Sequence, residues 1–206
     1  MMRWIAAWLA AVPLMVNAAP GGEDLFAEHC AVCHQTDGRG GIGLPLDQGR
    51  LSLVSDDYLT KTIRLGRPGR LMPTFSTLSD AQVRAIVGYL RGHYQSASVQ
   101  YSDKPLGGDA AKGAKLYVDN CVACHGVDGS GEGRGTGVSV SRKRDFTVMP
   151  PAITNIGFLT AAPDAMIAEI IRQGRPGGVM PSFKKHLSDA QIADVVAHVR
   201  ELGKIA

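Results

Sequence analysis

Tryptophan is almost missing from this 206-residue chain: the two that occur, Trp4 and Trp8, both fall within its first eight residues. Period-two alternation of apolar and polar residues is also missing over any useful length, which excludes an extensive sheet. Charge of one sign is scarce, with 22 basic against 19 acidic side chains, so there is no basic stripe of the kind a nucleic-acid binder carries. Long apolar runs are absent except at the start. Residues 4–16 are apolar, short of the roughly 20 that a membrane-spanning helix needs. Cysteine is limited to four residues: Cys30, Cys33, Cys121 and Cys124.

The apolar run has a different reading. Arg3 gives a positive start, and Val16-Asn17-Ala18 supplies small residues where a signal peptidase cuts. Residues 1–19 are therefore expected to be a secretory signal. The mature chain then starts near Pro20 in an exported, periplasmic compartment, soluble and with no membrane span after cleavage. Cleavage removes Arg3 from the 22 basic residues, and both tryptophans.

What is present is a repeat. "LFAEHCAVCHQTDGRG" at 25–40 matches "LYVDNCVACHGVDGSG" at 116–131, offset by 91 (121 minus 30). "RLGRPGRLMPTF" at 64–75 matches "RQGRPGGVMPSF" at 172–183, offset by 108 (180 minus 72). "LSDAQVRAIVGYLR" at 78–91 matches "LSDAQIADVVAHVR" at 187–200, offset by 109. The order of segments is the same in both halves, so the second copy carries a 17-residue expansion between its cysteines and its methionine. Two tandem domains follow, 20–95 and 106–206, with 96–105 as linker.

Both units read as helical. Ser79 with Gln82 is a capping box, and Val83, Ile86, Val87 and Leu90 then form one apolar face. Ser188, Gln191, Ile192, Val195, Val196 and Val199 repeat it. A short helix is expected before each cysteine pair, with Asp109 as a candidate cap for the second. Units this small, with glycine-rich loops, have thin cores, so a bound group is expected to fill the middle.

In an exported chain paired cysteines ordinarily form disulfides. Here each pair is C-x-x-C followed at once by histidine, "CAVCH" and "CVACH". The i, i+3 spacing places both thiols on one side of a helical turn, suited to adding across the two vinyl groups of a haem, with the histidine directed at the iron. A redox pair needs no adjacent histidine, and a zinc site needs two further ligands nearby. The reading is two covalent haem c groups, anchored by Cys30 and Cys33 and by Cys121 and Cys124, with His34 and His125 as iron ligands.

On these residues each half resembles a class I c-type cytochrome domain, and the whole resembles a dihaem c-type cytochrome over nearly all of the mature chain. The resemblance implies an all-α fold of two tandem cytochrome c-like domains, each wrapped around one covalent haem, with a first helix crossing the last. The spacing that serves that crossing matches Gly22-x-x-x-Phe26 and Gly113-x-x-x-Tyr117. The aromatic of the last helix matches Tyr89, whereas the second unit has His198 there. The proline whose carbonyl holds the histidine ring matches Pro45, and Pro150 or Pro151 is available in the second unit. The resemblance also places the sixth iron ligands at Met72 and Met180. Met166 sits in a helical segment and reads as core, while Met149 is the rival for the second iron.

A thioether is a neutral, soft donor that favours reduced iron. The function implied is single-electron transfer between a redox protein donor and an acceptor, as a free carrier or as the electron-transfer subunit of an oxidoreductase complex, rather than catalysis. The alternative class is a dihaem enzyme, peroxidase-like or thiosulfate-oxidising, with a labile sixth ligand on one haem. A sensor with a displaceable methionine is a third. Arg67 and Arg175, one in each methionine loop, are candidates for pairing with haem propionates or for solvated loop positions. Arg142, Lys143 and Arg144 in the expansion form a candidate docking patch for an acidic redox partner. Four histidines are spare: His29, His93, His186 and His198.

Overall fold

The computed structural model describes residues 21–131, 150–175 and 179–205. The expected signal at 1–19, Met149 and the basic run Arg142–Arg144 lie outside them. Ten helices and no strand occur among the described residues. The first unit runs α1 (Gly22–His29), α2 (Ala31–His34), α3 (Gln48–Leu51), α4 (Asp56–Leu65) and α5 (Asp80–His93). The second repeats it as α6 (Ala110–Asn120), α7 (Val122–His125), α8 (Ile156–Ala161), α9 (Asp164–Gln173) and α10 (Asp189–Ile205).

Helix starts follow the local chemistry. Ser79 Oγ accepts from Gln82 N while Gln82 Oε1 accepts from Ser79 N, closing the capping box. Ser188 and Gln191 do the same for α10. Asp109 accepts from the amides of Ala111 and Lys112 at the start of α6. The apolar face of α5 is buried at Val83, Ile86, Val87 and Leu90, and that of α10 at Ile192, Val195, Val196 and Val199.

In each unit the first helix crosses the last at a glycine. A Cβ on Gly22 would lie 2.1 Å from the Ala85 carbonyl oxygen. One on Gly113 would lie 1.9 Å from that of Asp194. Beside each glycine two rings meet: Phe26 with Tyr89 at 5.4 Å, and Tyr117 with His198 at 5.2 Å. The histidine therefore keeps the same crossing. Tyr117 adds a bond Phe26 cannot make, its buried hydroxyl donating to Gly126 O at 2.8 Å.

One arginine per unit ties the last helix to the middle of its unit. Arg91 donates to Leu51 O at 2.6 Å, Val54 O at 2.8 Å and Asp56 at 2.8 Å. Arg200 donates to the carbonyls of Leu159 and Ala162 and to Asp164 at 2.7 Å. Leu51 O, Leu159 O and Ala162 O lie at the ends of α3 and α8, so there the two arginines supply donors the helix cannot.

The units touch along α4 and α8. The rings of Tyr58 and Phe158 meet edge-on with centroids 6.3 Å apart. Asn155 Nδ2 donates to Pro68 O at 2.8 Å, and Arg70 donates to Ser130 O at 2.9 Å. Gly157 lies so close that a Cβ there would sit 2.4 Å from Gly66 O. The segment between the units folds back on the first of them, with Tyr101 Oη donating to Leu53 O at 3.2 Å.

Candidate functional site

Each C-x-x-C-H stretch is one turn continuing from the helix before it. His34 N donates to Cys30 O at 3.0 Å, and His125 N to Cys121 O at 2.9 Å. None of the four cysteines is paired in a disulfide. Burial, with the neighbouring cysteine second, pushes the Cys30 and Cys121 thiols up to about 11. The turn ends in an extended, positive-φ residue, Gln35 (φ 64, ψ 159) in the first unit and Gly126 (φ 79, ψ 163) in the second. This reverses the chain so that Gly40 N donates to His34 O and Gly131 N to His125 O.

The histidine rings are held from one side. His34 Nδ1 lies 2.7 Å from Leu44 O, and His125 Nδ1 lies 3.3 Å from Pro151 O. A carbonyl only accepts, so each Nδ1 carries the proton and each Nε2 keeps its lone pair for a metal. Burial lowers both imidazoles' affinity for a second proton, which keeps that lone pair available. Gly43 makes room for the first ring, since a Cβ there would meet it at 2.7 Å.

The carbonyl on His34 is that of Leu44, not of Pro45 as the resemblance implied. Proline forces the residue before it into extended backbone, and it is that residue's carbonyl that turns to the ring. In the second unit the equivalent carbonyl is that of Pro151, one of the two prolines expected there, with Ala152 rather than a proline after it. The return bonds Leu46 N to Gly38 O and Ile153 N to Gly129 O fix that register. Between the two residues of each pair the repeat offset changes from 91 to 107, so 16 of the 17 extra residues lie in this one loop.

The methionine loops share one closed form. Arg67 N donates to Met72 O at 2.9 Å, and Arg175 N to Met180 O at 3.0 Å. Each loop leaves its helix at a positive-φ glycine, Gly66 or Gly174, where a Cβ would come within 2.8 Å of the carbonyl oxygen of Met72 or Met180. No other residue fits that crossing. The loops end on the helix they left, with Phe75 N on Ile63 O and Phe183 N on Ile171 O, both at 3.2 Å. Arg64 also bonds Phe75 O at 3.2 Å and Asp80 at 2.5 Å, and Arg172 holds Asp189 at 2.8 Å. Met180 packs against the core edge and Met72 is half-buried. Met166 is fully buried core.

The loop arginines differ. Arg67 donates to Gly66 O at 2.7 Å, Tyr58 Oη at 3.0 Å and Thr62 Oγ1 at 3.1 Å, with its carbon 5.9 Å from both the Tyr58 and Phe158 ring centroids. It is a cross-unit pin with its fork already engaged. Arg175 has a buried Nη1 with no partner among the described residues.

A haem fits this donor set. Paired free thiols on one turn, an imidazole with Nε2 unprotonated, a braced thioether loop and a guanidinium whose Nη1 is buried without a partner among the described residues suit an iron macrocycle with acid side arms. Among the described residues no three His, Cys, Asp or Glu side chains converge as a bare-metal site would require. Of the spare histidines, His29 packs on Phe75 with ring centroids 6.2 Å apart, against the end of the methionine loop. Sequence reasoning missed the Arg64 and Arg172 braces and the carbonyl register. The braces had a visible signal, an arginine at the same position in both copies.

All-helical tandem units of this form, each with C-x-x-C-H on the turn after its first helix, define a c-type cytochrome made of two cytochrome c domains. Residues 17–90 and 108–199 match the family described as cytochrome c oxidase, cbb3-type, subunit III, and the chain belongs to that family. Among curated relatives, the Cbb3-type cytochrome c oxidase subunit FixP of Bradyrhizobium diazoefficiens is 30% identical over 92% of this chain and 63% of its own length. The CcoP subunit of Azospirillum sp. (strain B510) is 30% identical over 92% and 64%. That of Cereibacter sphaeroides is 30% identical over 95% and 65%. The chain thus spans less than two thirds of the length of these relatives. A chain of the Kuenenia stuttgartiensis reducing HAO-like protein complex Kustc0457/Kustc0458 shares the fold, with TM-score 0.58 and 21% identity, over 93% of this chain and 99% of that one.

Proposed function

We propose that this chain is an exported, periplasmic dihaem cytochrome c that passes single electrons from a redox protein donor toward a terminal oxidase, as the electron-transfer subunit of a cbb3-type oxidase complex or as a carrier to one. Cys30 and Cys33 anchor one haem and Cys121 and Cys124 the other. His34 and Met72 would hold the iron in the first unit, and His125 and Met180 in the second. Haem iron supplies a one-electron couple. The chain's own part is to hold both ligands still. Leu44 O and Pro151 O orient the imidazoles, while the Gly66 and Gly174 crossings close the methionine loops. Ligands that do not move between oxidation states leave little to reorganise when an electron passes. The names of the FixP and CcoP relatives support the oxidase as the destination. No helix among the described residues is long and apolar enough to cross a membrane.

The observation that carries this reading is the duplication of one complete brace: an imidazole fixed at Nδ1 and a closed methionine loop, in both units. Two filled sites suit transfer, whereas an enzyme of the peroxidase or thiosulfate-oxidising kind needs one labile position. The test is the oxidised spectrum of the full chain with its haem. A sulfur-to-iron charge-transfer band for both haems is expected, lost by half in Met72→His and by half in Met180→His, with carbon monoxide leaving the reduced wild type unchanged. Carbon monoxide binding to one haem of the wild type would establish the enzyme or sensor class instead.

A further inference from the structure

Arg67 and Arg175 are equivalent in the repeat but not in their bonding. Arg67 finds two hydroxyls on the helix before its loop, Tyr58 Oη and Thr62 Oγ1. At the repeat offset of 108 the second unit has Met166 and Ile170 at those positions, both buried and apolar. Arg175 is thereby denied partners on its own helix. The charged and phenolic groups that act on it are Tyr58, Arg50 and Asp47 of the first unit and Tyr101 of the linking segment. Asp47 is already shared with Arg50, one of its oxygens accepting from Arg50 N and the other from the Arg50 guanidinium, and Arg175 Nη1 makes no bond to it. Around Arg175 two guanidiniums, its own and that of Arg50, therefore face the single carboxylate of Asp47, with Arg175 Nη1 buried and without a partner among the described residues. A buried unmet donor on a cation is among the costliest arrangements a fold can carry, so the pocket calls for an anion.

We propose that Arg175 reaches across the junction and holds a carboxylate of the first unit's haem, so that a residue from the second unit's ligand loop completes the first unit's cofactor site. The inference rests on the two-haem reading above. The choice of the first haem follows from the neighbours. Asp47 and Arg50 lie just past Leu44, whose carbonyl holds the His34 ring, so the pocket continues the wall of the first site. An arginine fork suits a carboxylate. A cation beside the site favours the reduced iron, so its loss lowers that haem's potential.

The experiment is a redox titration of the full haem-loaded chain in a Met180→His background, where the second haem titrates at lower potential and the first is read alone. A pyridine haemochrome assay first counts the haems; fewer than two per chain would sink the two-haem reading, whereas two with an unmoved first potential would sink only this proposal. Arg175→Gln is expected to lower the first haem's reduction equilibrium constant on the order of tenfold, about 59 mV for one electron, with a smaller change at the second. Arg175→Lys, which keeps the charge and loses the fork, is expected to fall between; it decides the matter if the glutamine variant does not load haem. A shift confined to the second haem in either variant, or none, overturns the assignment. Exchanging chloride for phosphate at constant ionic strength is expected to leave the unsubstituted Arg175 protein unmoved; a phosphate-dependent potential would mean that a free anion fills the pocket.

Discussion

Two alanine substitutions, Gly113→Ala and Gly88→Ala, separate helix propensity from helix packing. Both glycines lie inside helices, and alanine gains about 1 kcal/mol of helix propensity over glycine at either position. At Gly88, on the exposed side of α5, nothing lies within 4 Å of the place an added methyl would take, so the whole gain survives. At Gly113 the added Cβ would sit 1.9 Å from Asp194 O and 3.0 Å from His198 Cβ. The first obstacle is backbone of the crossing helix and cannot rotate away, so α6 and α10 must separate by roughly 1 Å. Overpacking of a close helix contact costs roughly 1–3 kcal/mol, and a backbone obstacle belongs at the upper end, leaving a net loss of about 2 kcal/mol. At about 4–8 °C per kcal/mol for a unit of this size, thermal unfolding followed by far-ultraviolet circular dichroism should show Gly88→Ala raising the first unit's transition by about 4–8 °C. Gly113→Ala should lower the second unit's by about twice that. A Gly113→Ala protein at least as stable as the wild type would refute the claim that this glycine is required by the crossing.

Gln35 holds a φ of 64 and ψ of 159 that suits glycine alone, and the second unit has Gly126 in its place; Gln35→Gly is expected to stabilise the first unit by about 1 kcal/mol in urea unfolding, and a loss of stability would show that the side chain more than offsets its strain. Burial lowers the His198 pKa, so below the unfolded value near 6.5 the unfolded chain binds more protons than the folded one and stability falls as pH drops. His198→Tyr, which installs the first unit's residue, should therefore lose less stability between about pH 7 and pH 5 than the wild type, the other histidines cancelling in the comparison; identical slopes in pH-dependent urea titrations would count against it.

Much of the fold was legible because its signals are local. The capping boxes at Ser79 and Ser188, the Asp109 cap, the apolar faces of α5 and α10 and the repeated C-x-x-C-H turn each depend on residues within a few positions of one another. The crossing was legible only through the resemblance to class I c-type cytochrome domains, whose first-helix spacing Gly22-x-x-x-Phe26 and Gly113-x-x-x-Tyr117 match. The His34 carbonyl partner could not be read to the residue, since Leu44 or Pro45 depends on how the loop returns to Gly38. The braces from Arg91 to Leu51 and Val54, and from Arg200 to Leu159 and Ala162, join residues about 40 apart, and only the recurrence of that arginine in both copies marks them, without naming the partners. For the same reason Arg67 and Arg175 read alike. Only the placement of Phe158 and Tyr58 shows that one fork is fully engaged and the other is not.

That divergence has a simple origin in how the copies meet. At the repeat offset of 108, Phe158 of α8 is the counterpart of Arg50 of α3. Arg67 of the first unit rests on Phe158 of the second, and Arg175 of the second has Arg50 of the first as a charged neighbour. Both relationships join the same two repeat positions, the first as a ring contact at 5.9 Å and the second as a like-charge interaction. In one direction the arginine meets a ring face, which attracts it. In the other it meets a second cation, which repels it. Together with the hydroxyls of Tyr58 and Thr62, where the second unit has Met166 and Ile170, this difference engages Arg67 and leaves Arg175 Nη1 without a partner among the described residues. Replacing Arg50 by phenylalanine removes the like charge but supplies no counterpart to Tyr58 Oη and Thr62 Oγ1, so Arg175 should still need an anion.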